Sequence, residues 1–579
     1  MGKQIRSKII HWGLVDSISQ ENRKRWRVSK NRLEESFVHS DLELTSLRFS
    51  IFYLAIFLVV LIFLARLFML MIIGGEKNRA LAEGNRVKLV DIEPKRGRIF
   101  DRNGVVLAQS SDVYLLKKGS QTSEISQSAA KELESQSLAS ENFEGELGQI
   151  VYSLNRQYPL GQKAAHVLGY TSGVSPATRM GSLGVEETYD DFLRGKLGRK
   201  IIEVDALGRS VSILDSEPGE DGKDLHLTID GDLQKIAFDI LQKHSQKIGS
   251  KKAAAVIQNP KTGEVLALVS LPSFDPGQVD KYLQDKDEPF FNRAIQGVYP
   301  PGSIFKIVSA LAGLESGAIT QDTEIEDVGE FYLGDTRFVN WYYLSYGGRD
   351  GKIKIEWAIA RSNDIFFYRL AEKTGLDSLR EMAKKLGLGQ KTGIDLPYES
   401  VGLVPDETWK KSTYGQDWYL GDTLHFGIGQ GFVLATPLQM STITSFMASG
   451  KLTRPYLVRQ IGSGDGNNIK MESKVSADSP VGEKNFQIVR QGMQQACEKG
   501  GTGWPFFNAP YKVGCKTGTA ERALGDPHAW FTVFAPYEKP EISVTVIIEN
   551  GGEGSSVAGP AAREILDWWF SNQKLETRN

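Results

Sequence analysis

The stretch "YPPGSIFKIVSALAGLESG" (299–317) sets a serine just past a Pro-Pro-Gly corner and a lysine three residues on, at the head of an apolar helical run. On a helix, residues three apart share a face, so Ser303 and Lys306 can meet. Capping accounts for a serine at a helix start. It does not account for the lysine, a cation that opposes the helix dipole in the first turn and is flanked by Ile304, Phe305 and Ile307. Burial among those side chains predicts a lowered amine pKa and hence a base able to take the Ser303 proton.

The S-x-x-K pattern is weak by itself. "SAAK" (128–131) matches it inside the polar run "KKGSQTSEISQSAAKELESQSLASENFEGELG" (117–148), which reads as a small surface helix plus loop with nothing to desolvate Lys131. Two further motifs follow Ser303 in order. In "RSNDIFFY" (361–368), Ser362 and Asp364 sit on a polar tip before an aromatic helical run, where they could relay a proton to a leaving amine or merely cap the helix. In "YKVGCKTGTA" (511–520), Lys516 and Thr517 could bind a carboxylate, Gly518 would let a substrate backbone approach, and Thr519 could lend its N–H. The same triplet occurs at Lys261–Gly263, in a hairpin turn, and at Lys391–Gly393, in a loop; only Lys516–Gly518 continues a strand pattern.

Outward from these motifs the chain divides. From about Lys223, "LHLTID" reads as a strand, "DLQKIAFDILQKHSQKI" as an amphipathic helix and "AAAVIQNPKTGEVLALVS" as two strands around an Asn-Pro turn. Helical patterns come next, then the strands "YKVGCKTGTA", "HAWFTVFAP" and "EISVTVIIEN" and a closing helix "AAREILDWWFSN". That order predicts an α/β (α+β) fold with a central antiparallel sheet sandwiched by helices. Upstream, Phe49–Ile73 is apolar apart from Ser50 and Arg66, enough for the roughly 20 residues that cross a bilayer. The cost of a mid-bilayer arginine sets Arg66 near one interface, with the span starting around Leu47. "RKRWRVSKNR" (23–32) marks the cytoplasmic side and puts the large C-terminal part outside. The n-region of nearly fifty residues argues against a cleaved signal, despite an "ALA" at 80–82.

With 579 residues, 24% charged and a formal net charge of -2, the chain is neither a disordered nor a nucleic-acid-coating protein. Seven scattered histidines without metal-ligand spacing predict chemistry without a metal or other cofactor. Cys497 and Cys515 could be bonded or two buried thiols.

Taken in order, Ser303-x-x-Lys306, Ser362-x-Asp364 and Lys516-Thr517-Gly518 resemble the motif set of the penicillin-recognising serine acyl-transferases. "RGRIFDRNG", "YPLGQKAAHVLGY", "GSLGVEETY", "GDTLHFGIGQGFVLATPLQM" (421–440) and "GCKTGTAE" narrow the likeness to class B penicillin-binding proteins, over about residues 47 to 570. The short tail leaves no room for the glycosyltransferase of class A. The resemblance implies a basic cytoplasmic tail (1–46), an anchor helix (47–73), a β-rich pedestal of the dimerisation type (74–221), a transpeptidase domain (222–572) and a C-terminal tail (573–579).

It also implies a D,D-transpeptidase acting on peptidoglycan stem peptides and acylated by β-lactams. Ser303 would attack with Lys306 as base, the N–H groups of Ser303 and Thr519 would hold the oxyanion, and Ser362 would pass a proton to the departing D-alanine. Lys516 and Thr517 would hold the terminal carboxylate. Asp364, where many relatives carry asparagine, points to the elongation (penicillin-binding protein 2) type and to a SEDS-type glycosyltransferase and other elongation-machinery membrane proteins as partners. The segment between the first two pedestal runs is short for the class. The competing expectations are a division-specific transpeptidase, a carboxypeptidase or β-lactamase on the same fold, for which no deacylating glutamate is assignable, and a penicillin sensor or silent scaffold.

Overall fold

The computed structural model describes residues 41–118, 121–138, 149–173, 178–205, 210–462, 468–475, 479–522 and 524–576. The basic run at 23–32 and residues 139–148 of the serine-rich segment lie outside them. The chain forms two compact units, the first made of residues 1–87 with 204–209 and the second of 88–203 with 210–579.

In the first unit a helix runs from Asp41 to Phe68, passes through a π-helical turn Met69–Ile73 and is followed by the helix Gly75–Arg86. Arg48–Ile73 has mean hydropathy 3.0 over its most apolar window and is long and apolar enough to cross a membrane. Its large side chains, Phe63 and Leu64 among them, are exposed all round. Such a surface is stable in lipid and not in water. Arg66 falls in the last turn of Asp41–Phe68, toward one end of the apolar stretch.

The second unit is built on two larger sheets. One has five strands in the order Val265–Leu271, Ala253–Gln258, Ile542–Ile548, His528–Ala535 and Gly514–Ala520, every pair antiparallel. Helices Gly231–Lys247 and Ala558–Glu576 cover one face, where Ala253, Ala255 and Ile257 join Leu233, Phe238, Ile565 and Leu566 in one core. Ala254, Val256, Trp530 and Ile547 face the other way, into a second core with Ile307, Phe366 and Ile443. Covering on both faces is why these strands read as unbroken apolar runs and not as alternation. The expected sandwich is thus present, with Val265–Leu271 at one edge of the sheet and Gly514–Ala520 at the other. A disulfide joins Cys497, past the helix Glu483–Ala496, to Cys515 on that strand, with Cα atoms 5.9 Å apart.

"LHLTID" departs from the expectation. Only Leu225–Leu227 is a strand, and it belongs to the other sheet, parallel to Ile99–Phe100 and antiparallel to Val458–Ile461. Asp230 ends the run by capping the next helix, its carboxylate accepting from Leu233 N at 2.9 Å. That sheet continues through Val106–Lys118 to Gln121–Ile125 and Gln149–Gln157. The strand Gln121–Ile125 falls in the polar run read as helix plus loop; the helix there is Gln127–Leu138, and Lys131 on it is exposed.

The upstream motifs "RGRIF" and "GVEETYDD" are tied together by buried charge. Arg96 meets Glu186 at 2.5 Å and Asp190 at 2.7 Å, and Arg156 meets Glu186 at 2.8 Å. Glu186 is fully enclosed, so the two guanidiniums offset the cost of burying its charge.

Candidate active site

Gly302 turns the chain with φ +55°, and a Cβ there would stand 2.8 Å from Thr519 O. This close approach seats a 3-10 turn, Gly302–Phe305, on the edge strand, and its N–H donates to Gly429 O at 2.8 Å from the other side. The turn runs straight into the helix Lys306–Glu315. Ser303 is not a cap: Pro301 and Phe305 occupy the two cap positions, and Ser303 faces a cleft of about 730 Å³. Residues three apart in such a turn fall on one side of it, which sets Ser303 and Lys306 on the same side of the chain.

Lys306 is completely buried. Its Nζ donates to Asp364 Oδ1 at 2.6 Å and Ser362 O at 2.8 Å, and lies 3.4 Å from Ser362 Oγ. Lys516, equally buried on the edge strand, donates to the same Ser362 Oγ at 2.7 Å and to Thr517 O at 3.0 Å. One hydroxyl therefore bridges two amines, on elements 210 residues apart. Burial pushes the Lys306 amine below its ordinary range, and the Asp364 carboxylate opposes that fall. Lys516 is pushed well below, by burial first and then by the charge of Lys306. With Asp364 against Lys306, the proton favours Lys306 and Lys516 is the readier of the two to be neutral. Amines held this way can accept a hydroxyl proton and pass it through Ser362.

Residues 253–567 match the family model described as the penicillin binding protein transpeptidase domain, and residues 117–227 that of the penicillin-binding protein dimerisation domain. The peptidoglycan D,D-transpeptidase MrdA of Escherichia coli strain K12 is 31% identical, over 89% of this chain and 92% of its own. The chain belongs to the penicillin-binding proteins. Among solved structures, this penicillin-binding protein is similar to Pseudomonas aeruginosa PBP2 in complex with WCK 5153 (33% identity, 83% and 96% of the two chains, TM-score 0.64). It is also similar to Helicobacter pylori PBP2 in complex with MreC (28%, 83% and 98%, TM-score 0.70) and to a chain of a peptidoglycan synthase complex (29%, 89% and 97%, TM-score 0.72).

Ser303, Ser362, Asp364, Thr517 and Thr519 of this penicillin-binding protein all line the one cleft, with Lys306 and Lys516 beneath its floor. Two sequence expectations change. Ser362 does not cap the aromatic helix; it closes the helix Ile355–Arg361 in a left-handed conformation, φ +52°, and Asn363 is the cap of Asp364–Lys385, its Oδ1 accepting from Phe366 N at 2.9 Å. The left-handed serine is a strained conformation that points its hydroxyl between the lysines. Gly518 makes room from the inside: a Cβ would lie 2.9 Å from Trp530 Cβ and 3.0 Å from Ile304 Cγ2, so its absence seats the Ser303 turn on the strand.

The sequence pattern missed what braces the Ser362–Asp364 corner. Buried Asp327 accepts from Asn340 Nδ2 and Asn363 Nδ2, both at 2.8 Å, and from the backbone of Gly329 and Asp350. Asn363 also donates to Asp350 Oδ2 at 2.9 Å, and Arg361 pairs with Asp350 at 3.0 Å. The backbone N–H of Trp341 donates to Asp364 Oδ2 at 2.9 Å, which leaves Oδ1 for Lys306. Thr502 shares a 2.8 Å hydrogen bond with Thr517. Little of this is legible locally, because apart from the Gly329 N–H the partners of Asp327 lie in other segments.

Proposed function

We propose that the protein is a membrane-anchored peptidoglycan D,D-transpeptidase of the cell-elongation type. The observation that carries the reading is the Ser362 hydroxyl held between the Lys306 and Lys516 amines, in the cleft that Ser303 faces. Ser303 Oγ attacks the carbonyl of the penultimate D-alanine of a stem peptide and gives its proton to Lys306 in the fraction whose amine is neutral. The N–H groups of Ser303 and Thr519 hold the oxyanion, one such donor being worth about 10² to 10³ in rate. As the C–N bond breaks, the proton passes through Ser362 to the departing D-alanine, whose carboxylate is held by Lys516 and Thr517. An amine of a neighbouring stem peptide then attacks the ester, forms the cross-link and returns a proton to Ser303. β-Lactams enter by the same attack, and their leaving group stays tethered.

On this reading residues 47–73 anchor the chain in the bacterial cell membrane with the N-terminus cytoplasmic. The pedestal at 74–221 and the transpeptidase domain at 222–572 then stand outside. Partners follow from the relatives, of which one is a PBP2 in complex with MreC and another belongs to a peptidoglycan synthase complex. A SEDS-type glycosyltransferase and other elongation-machinery membrane proteins are the corresponding partners here.

Fluorescent-penicillin labelling of wild type and Ser303→Ala, followed by a chase, tests the reading. Label that requires Ser303 and outlasts the chase is expected. Rapid loss would indicate a hydrolase, and absence of label on folded wild type would overturn the catalytic assignment.

A further inference from the structure

The transpeptidase reading leaves one end of the cleft without a task. With the terminal carboxylate at Lys516 and Thr517 and the scissile carbonyl at Ser303 and Thr519, the donor peptide runs along the open edge of Gly514–Ala520 toward that strand's C-terminal end. At about 3.3 Å per strand residue, the amino acid preceding the penultimate D-alanine comes level with Ala520 and Glu521. The strand stops at Ala520. With it stops the alternation that would send neighbouring side chains to opposite faces, and both Glu521 and Arg522 line the cleft beside Ser303 and Thr519.

Their environments differ from those of the other charges nearby. Glu553, on the same rim, is occupied by Ser555 and Ser556, whose hydroxyls donate to it at 2.7 and 2.9 Å. Asp364 is occupied by Lys306. Glu521 lines the same cleft as Tyr368 and His425, and its charge acts on both, each of which is perturbed mainly by burial. Arg522 donates one guanidinium N–H to Asn550 Oδ1, which steadies the fork at the rim and uses one of its five donors.

Resting on the transpeptidase reading, we propose that Glu521 and Arg522 form a subsite for the side chain of the residue preceding the D-alanine pair, and that this side chain ends in both an ammonium and a carboxylate. A lone ammonium would be attracted by Glu521 and repelled by Arg522 one residue away. A terminal carboxamide would leave the guanidinium without its charge partner. A zwitterionic terminus matches both, with the planar Arg522 fork suited to the carboxylate and Glu521 to the ammonium. Selection then comes from mismatch as much as from attraction.

The test measures D-alanine release by the full-length protein in detergent from three synthetic stem peptides. They carry meso-diaminopimelate, its side-chain carboxamide, or L-lysine at the third position. For each variant kcat/KM is expressed relative to that variant's rate of penicillin acylation, since penicillin has no third residue. Wild type is expected to favour the diaminopimelate peptide about tenfold over each of the others, the scale of one charge-assisted hydrogen bond. Arg522→Gln is expected to bring the diaminopimelate-to-carboxamide ratio to about one, and Glu521→Gln to lower the relative rates of the diaminopimelate and lysine peptides together. Equal wild-type rates on the three peptides, or a preference that survives Arg522→Gln, would overturn the subsite while Ser303 labelling by penicillin leaves the transpeptidase reading standing. Wild type that releases no D-alanine and takes no label would overturn both.

Discussion

Lys306 Nζ stands 2.6 Å from Asp364 Oδ1, out of reach of water, and Asp364 is the carboxylate that two buried amines share through charge. Everything else in the cleft depends on how that one negative charge divides its influence.

Asp364→Asn tests that division. Asparagine has one carbonyl oxygen, enough for Trp341 N or for Lys306 but not for both, and the charge that opposes the fall of the Lys306 pKa is gone. Lys306 must then titrate still lower, and the rising limb of the penicillin acylation rate against pH is expected to move toward acid. Stopped-flow acylation measured from about pH 5 to 10 reads this directly, since each unit is a tenfold change in the neutral fraction. An unmoved limb would assign the limb to another group.

Lys516 makes a stability prediction. Its folded pKa lies well below the ordinary lysine value of 10.5, so between the two values the unfolded chain binds more protons than the native state. Stability therefore rises with pH through that window, and at neutral pH the buried amine is a burden. Lys516→Met is expected to lower penicillin acylation by at least about 100-fold while thermal unfolding shows a midpoint no lower than wild type and a shallower rise with pH. A lowered midpoint would mean that the hydrogen bonds to Ser362 and Thr517 outweigh the cost of burial.

Gly518→Ala is expected to act on Ser303 through packing. The added methyl would meet Trp530 and Ile304 at 2.9 and 3.0 Å, and relief requires the Ser303 turn to lift from the strand. Overpacking of this kind costs about 1 to 3 kcal/mol, and displacing a reacting atom by an ångström costs about 10²-fold in rate. Denaturant unfolding and acylation rates on the same sample should both fall.

Asp327→Ala removes four hydrogen bonds from a carboxylate that is 2% exposed. Orphaned buried donors cost about 1 to 3 kcal/mol each, so a loss of at least about 3 kcal/mol is expected by calorimetry. Because Asn363 loses a brace, labelling of Ser303 should slow even at temperatures where the variant is folded. Unchanged labelling would confine Asp327 to a structural role.

The Ser303, Ser362 and Lys516 motifs were legible because each is a short pattern on a predictable element: an apolar helix head, a polar corner, a strand. So were the three C-terminal strands and the sandwich, since burial on both faces writes itself as runs such as "ISVTVII". "LHLTID" was legible as a strand but not as a member of the other sheet, because pairing partners 126 and more residues away leave no mark on six residues. The cap at Asn363 was hidden for a different reason: Ser, Asn and Asp are near-equals as caps, and three in a row leave the choice to backbone geometry.

By itself the sequence determined the apolar stretch long enough to cross a membrane, the order of the three motifs and the chemistry they permit, all of which follow from side-chain type at short spacing. Tertiary structure alone decided that Lys306 and Lys516 meet at one hydroxyl, that Asp364 divides its oxygens between Lys306 and Trp341, and that Asp327 and Asn340 hold the corner in place. The reason is physical. Pair energies and pKa shifts depend on distance and on exclusion of water, and both are set by segments that only the fold brings together.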